Sequence, residues 1–186
     1  MNALHLLALS ALLAALALPS WAQKVKLATS VGDIVIELDA AKAPKTVDNF
    51  LKYVKAGHYD GLIFHRVMDG FMIQTGGYKA DLSAKPVRPP IALESRNGLS
   101  NVRGSLAMAR TNVPESATSQ FFINVADNTF LDQPNAADGE GYAAFGKVID
   151  GMDVVDKIKA LPTRAQGMFP NLPATPVTIR KASVEP

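Results

Sequence analysis

Between residues 64 and 74 the chain reads Phe-His-Arg-Val-Met-Asp-Gly-Phe-Met-Ile-Gln. One permanent cation, Arg66, and one amide, Gln74, stand there among Phe64, Met68, Phe71 and Met72. Stripping water from an arginine costs several kcal/mol, so a guanidinium set among large apolar side chains needs a partner or a task. Asp69-Gly70 favours a tight turn between two strands. Side chains alternate along a strand, so Phe64, Arg66 and Met68 share one face, and Met72 and Gln74 share one face of the next strand. Such a surface is apolar yet carries a few fixed hydrogen-bonding groups, as a peptide-binding pocket requires.

Taken one at a time, these residues have plainer readings. Arg66 is equally served by a surface pair with Asp60, Asp69 or Glu94. Phe71, Met72, Phe122 and Leu131 are each ordinary core types, and Gln74 and Gln120 suit strand ends. His65 falls on the face opposite Arg66 and reads as a hydrogen-bonded core histidine. His58, just after Gly57, reads as exposed.

The elements that must position these groups are short. Lys24–Thr29 and Asp33–Asp39 alternate and form a hairpin through Ser30-Val31-Gly32. Pro44 suits the first turn of a helix, with Val47, Phe50, Leu51 and Val54 as its apolar stripe and Gly57 as its stop. Strands are expected over 104–109, 120–125, 143–149 and 177–184, and a second helix over 151–161. The stretches 79–93, 110–119 and 127–142 read as loops, and a proline-rich connection precedes the last strand. Many short strands with two helices predict an all-β-dominated fold, a single closed β-barrel with helices covering its ends.

Composition narrows the function further. Leu4 to Leu18 is nearly all Leu and Ala, followed by Pro19-Ser20-Trp21-Ala22, and the small residues at 20 and 22 fit the cleavage rule of a secretory signal peptide. A leader at 1–22, cut after Ala22, and one domain at 23–186 are the expected organisation; the apolar run is short for a membrane span. The chain has no cysteine, which removes disulfides, thiol chemistry and a lipid-anchored precursor. A net charge of +2 with scattered signs argues against a nucleic-acid surface. Only His58 and His65 follow the leader, too few for a metal site.

The opening motif, Met-Ala-Arg at 108–110, Ser-Gln-Phe-Phe-Ile at 119–123, Phe-Leu-Asp at 130–132 and Phe-Gly-Lys-Val at 145–148 together resemble a cyclophilin, nearest to the exported bacterial branch. Order and spacing agree from about Lys24 to Val184. The resemblance implies a closed eight-stranded antiparallel β-barrel capped by two α-helices, peptidyl-prolyl cis-trans isomerase activity, and a periplasmic location. It implies catalytic roles for Arg66 and Gln74 and a substrate groove of Phe71, Met72, Ala109, Arg110, Gln120, Phe122, Phe130, Leu131 and Tyr142. No cofactor and no metal are expected. The expected partners are proline-containing peptides and unfolded exported proteins, with no nucleic acid, no membrane after cleavage, and a monomeric chain. Phe130 stands where many eukaryotic members have tryptophan, and the lost indole N–H argues against tight binding of cyclosporin. Tyr142 stands where they have a histidine.

The chemistry suits these residue types. Rotation about a peptide bond meets a barrier of about 18–20 kcal/mol, because the C–N bond has partial double-bond character. X-Pro bonds populate both isomers but exchange slowly. Halfway round, conjugation is lost and the proline nitrogen regains a basic lone pair. A donor aimed at that lone pair stabilises the twisted amide and not the planar one. Arg66 is the natural donor; Phe71, Met72, Phe122 and Leu131 form an apolar socket for the ring; Gln74 bonds the substrate carbonyl or orients Arg66. Backbone groups near Ala109 and Arg110 are free to pair with an extended peptide. Two other readings stay open: a groove that binds proline segments as a chaperone or adaptor, and a hollow barrel that carries a small apolar ligand.

Overall fold

The computed structural model describes residues 23–186, so the expected leader lies outside the described residues. Ten strands and two helices follow one another: β1 Lys24–Thr29, β2 Gly32–Leu38, α1 Pro44–Lys55, β3 Arg66–Met68, β4 Met72–Thr75, β5 Ser105–Met108, β6 Phe121–Asn124, β7 Ala144–Asp150, α2 Met152–Lys159, β8 Thr163–Gln166, β9 Phe169–Pro173 and β10 Ile179–Glu185. Eight of them make one antiparallel sheet in the order β10-β1-β2-β7-β5-β6-β4-β3. β1 runs between β2 and β10, and its first residue, Lys24, pairs with Glu185 near the end of the chain.

The expected closed barrel is corrected. The sheet curls into a half-barrel that stays open, with β10 and β3 as its two edges. Between those ends lies only a short crossing at residues 61–64, with an Ile63–Thr178 bridge and hydrogen bonds from Phe64 N to Val177 O (3.0 Å) and Ile179 N to Leu62 O (2.8 Å). The cause is length and cover. β3 has three residues, and β9 rather than β10 lies against it. β8 and β9 form a separate hairpin where the sequence predicts only a proline-rich connection.

Both helices pack their apolar stripes on the sheet. α1 buries Val47, Phe50, Leu51 and Val54, and α2 buries Val154, Val155 and Ile158. Ala43 offers no side-chain cap to α1. The Glu94 carboxylate fills that role from 48 residues away, accepting from Lys45 N (3.1 Å), Thr46 N (2.8 Å) and Thr46 Oγ1 (2.7 Å); an anion at a helix N-terminus also meets the favourable end of its dipole. Inside, the Phe50 ring stands 5.2–5.3 Å from those of Tyr59, Phe121 and Phe145. Val25, Leu27, Ile34 and Ile36 complete this buried cluster. Side chains fill the interior, which removes the ligand-carrier reading.

Candidate active site

Strand register assembles the site. Arg66 on β3 lies opposite Gln74 on β4, Gln74 opposite Phe122 on β6, and Phe122 opposite Ala107 on β5, a single row across four strands. The adjacent row carries Met68, Met72 and Asn124. The turn at Asp69-Gly70 sets this register: Gly70 takes φ +75°, which a side chain resists, and the Asp69 carboxylate accepts from the Gly70 amide at 2.9 Å. Met72, Ala107, Phe122 and Leu131 bury one another, with Met68, Phe71, Ala109 and Tyr142 half-buried around them. This is an apolar socket separate from the main core.

The competing ion pairs for Arg66 are all spoken for. Asp60 binds Lys181 at 2.9 Å, Asp69 lies 3.6 Å from Lys159, and Glu94 caps α1. Among the described residues Arg66 meets no carboxylate. Its Nη1 donates to Gln74 Oε1 and its Nη2 to Met68 Sδ, both at 3.3 Å, and its Cζ stands 6.0 Å from the Phe71 ring centroid. A guanidinium has five N–H groups, so donors remain over the socket. Gln74 Nε2 in turn donates to Gln120 Oε1 at 2.9 Å, which turns the Gln74 oxygen toward Arg66.

The remaining candidates ring the socket. Phe71 stacks on Phe130 at 5.8 Å, and Phe130 is exposed at the rim. Leu131 and Phe130 sit on a 3-10 turn, Thr129–Leu131, inside what the sequence presents as loop. Tyr142 meets Phe122 edge-on at 5.8 Å. The Ala109 amide is held by Gln120 O at 3.0 Å. The Arg110 backbone amide and carbonyl have no partner among the described residues, while its side chain is turned inward.

Beneath the groove runs a set of buried amides that the sequence does not announce. Asn128 Nδ2 donates to Phe71 O (2.8 Å) and to Asn124 Oδ1 (2.7 Å). Asn124 donates to Asn101 Oδ1 at 3.2 Å and Ser105 Oγ at 2.9 Å. Asn101 donates to Tyr142 O (3.2 Å) and Asp132 Oδ1 (2.9 Å). These bonds tie the Phe71 and Tyr142 walls to one scaffold. The available signal was Asn124, a polar residue on the socket face of an otherwise apolar strand.

Two histidine expectations need correction. His65 is buried on the opposite face, packed 4.8 Å from Tyr78, but its Nδ1 has no partner. Burial, then the nearby Arg66 charge, pull its pKa down to about 4, so it is neutral at neutral pH. His58 is half-buried rather than exposed, with Nε2 3.2 Å from Gly76 O. A separate cleft of about 770 Å³, lined by Leu38, Ala41, Leu99, Val102 and Ala144, shares no residue with the groove. Its charges are committed, Lys147 to Glu37 at 3.2 Å and Asp39 to the Lys42 amide at 3.0 Å.

The model of the family described as cyclophilin type peptidyl-prolyl cis-trans isomerase/CLD matches residues 24–184. The chain belongs to the cyclophilin family. Peptidyl-prolyl cis-trans isomerase A of Dickeya dadantii is 51% identical over 160 residues, covering 86% of this chain and 83% of that protein. Peptidyl-prolyl cis-trans isomerase B of Escherichia coli is 52% identical over 157 residues, covering 84% and 96%. A crystal structure of a cyclophilin type isomerase from Cryptosporidium parvum superposes with a TM-score of 0.74 at 26% identity, covering 89% of this chain and 99% of that one. The same protein was solved in the presence of the dipeptide Ala-Pro, with a TM-score of 0.73, 27% identity, and coverage of 88% and 99%. This cyclophilin is an enzyme of the peptidyl-prolyl cis-trans isomerase class.

Proposed function

We propose that this cyclophilin speeds X-Pro rotation in exported proteins and so assists their folding, acting as a single chain in the periplasm after its leader is removed at Ala22. Arg66 and Gln74 carry the reaction without any covalent intermediate. The proline ring enters the socket of Phe71, Met72, Phe122 and Leu131, where burial of its methylenes holds it. As the amide twists, the Arg66 N–H groups meet the lone pair that appears on the proline nitrogen, an interaction absent in either planar isomer. Gln74, fixed by Gln120, keeps the guanidinium over the socket. Backbone groups at Ala109 and Arg110, with Phe130 and Tyr142 at the edges, receive the chain on either side of the proline. The observation that carries this reading is a half-buried guanidinium beside the apolar cluster of Met72, Phe122 and Leu131, with neutral partners only among the described residues.

Export is supported by the leader pattern at 1–22, and proline-peptide binding by the structural relative studied with Ala-Pro. Exchange spectroscopy on an Ala-Pro peptide, with wild type and Arg66→Ala, tests the chemistry. Equal exchange rates would reject it. N-terminal sequencing of protein released from the periplasm tests the location: a start at Gln23 supports it, and an intact Met1 in the cytosolic fraction rejects it.

A further inference from the structure

Arg110 lies at the groove, yet its side chain is only 2% exposed. Every direction of its planar fork is used within the protein. Nε donates to Gly141 O at 2.9 Å, Nη1 to Thr111 O at 3.0 Å, and Nη2 to the Asp138 carboxylate. Its Cζ also stands 4.5 Å over the centroid of the Tyr142 ring. These contacts join two loops that sequence separates by about thirty residues. The far loop is pinned at its own ends. The Tyr142 amide donates to Leu131 O at 2.9 Å, and Gly141, at φ +68°, packs so close that a Cβ would lie 2.7 Å from that oxygen. The Arg110 guanidinium beside Asp138 holds that carboxyl well below the usual carboxylate range. On the groove side the Tyr142 ring meets Phe122 at 5.8 Å and 73°.

We propose that Arg110 is a positioning residue for isomerisation: its guanidinium holds Tyr142 against Phe122 as one wall of the groove, and thereby sets how tightly peptide is held. The guanidinium itself touches no substrate; only the Arg110 backbone faces the peptide. The proposal rests on the reading of the Arg66 groove as the active site. Lysine cannot substitute, because a point donor cannot stack on Tyr142 while bonding three separate acceptors. The Arg66–Gln74–Gln120 chain lies outside the clamp, so turnover of bound peptide is spared.

The test measures kcat and KM by exchange spectroscopy on an Ala-Pro peptide for Arg110→Lys, Arg110→Gln, Tyr142→Ala and the Arg110→Gln/Tyr142→Ala pair. KM should rise about 5–20-fold in each single variant with kcat within about twofold, and the pair should exceed neither single by much, because both changes remove one wall. Wild-type KM in both Arg110 variants overturns the proposal, as do effects of Arg110 and Tyr142 that simply multiply. If the Arg110 variants do not fold, Asp138→Asn decides, since it loosens the clamp from its exposed end. A KM raised about 2–5-fold supports the proposal, and an unchanged KM overturns it. Arg66→Ala in the same assay separates the two readings: full activity there removes the groove as active site, whereas loss there with intact Arg110 variants removes only the positioning role.

Discussion

Replacing Arg66 with alanine removes a charged donor beside the socket, and both the catalytic and the structural cost follow from its contacts. Loss of one preorganised donor at a developing charge lowers kcat by about 10²–10³, or about 2.7–4 kcal/mol. The structural cost is smaller. The guanidinium makes two contacts, both at 3.3 Å and both to neutral groups, so its removal strands no charge. Gln74 keeps its 2.9 Å bond to Gln120. A net loss of about 1 kcal/mol follows, a fall of about 2–4 °C in Tm for a domain of this size. The socket is untouched, so KM should stay within about twofold while kcat collapses. Arg66→Lys keeps the charge but not the fork and should recover less than about tenfold of the loss. Line-shape or exchange NMR on an Ala-Pro peptide reads kcat without a coupled protease, and thermal melts run beside it. The reasoning fails if Arg66→Ala keeps kcat within threefold of wild type while folded, or if the melt shows that the variant has unfolded.

Gln120→Leu frees the Gln74 amide to flip its nitrogen toward Arg66 and should cost about tenfold in kcat with little change in KM, measured in the same assay. His65 gives a pH signature. Its folded pKa is near 4 against an ordinary 6.5, so below 6.5 the unfolded chain takes up a proton that the folded chain refuses. Its contribution to stability is therefore complete above pH 6.5 and is lost as pH falls toward 4, by up to about 3 kcal/mol. Urea unfolding at pH 7 and pH 4.5 should show a smaller acid loss in His65→Gln than in wild type. Glu94→Gln removes the charged cap of α1 and should cost about 1–2 kcal/mol in urea unfolding, with kcat and KM unchanged.

The Arg66 row could be read in advance because two local rules act together there. Strand alternation puts Arg66 and Met68, or Met72 and Gln74, on one face, and Asp69-Gly70 fixes which residues face each other. Neither rule speaks to how a sheet ends, so closure was overestimated: the missing information was that β9 lies against β3. That hairpin escaped notice because β8 is exposed along its whole length and β9 contains Pro170 and Pro173, which read as loop. The resemblance placed Arg110 at the groove, but nothing in the local pattern showed that its side chain is buried. Its burial depends on Asp138, Gly141 and Tyr142, about thirty residues away, where local pattern carries no signal. The amides of Asn101 and Asn128 were hidden for the same reason, since asparagine ordinarily marks turns and here serves as internal bracing.

β1 lies between β2 and β10, with Lys24 beside Glu185. The first strand thus finds half of its hydrogen-bond partners only when the final residues exist. At about 5–20 residues per second of synthesis, the N-terminal hairpin waits many seconds with one edge bare. A chain built this way completes the pairing of β1 only once β10 has been made and docked, and removing β10 would bare one whole edge of β1. The same adjacency brings Lys24 and Glu185 close enough for a short linker to join them, so a domain closed there and reopened at the exposed tip around Met168 should still fold.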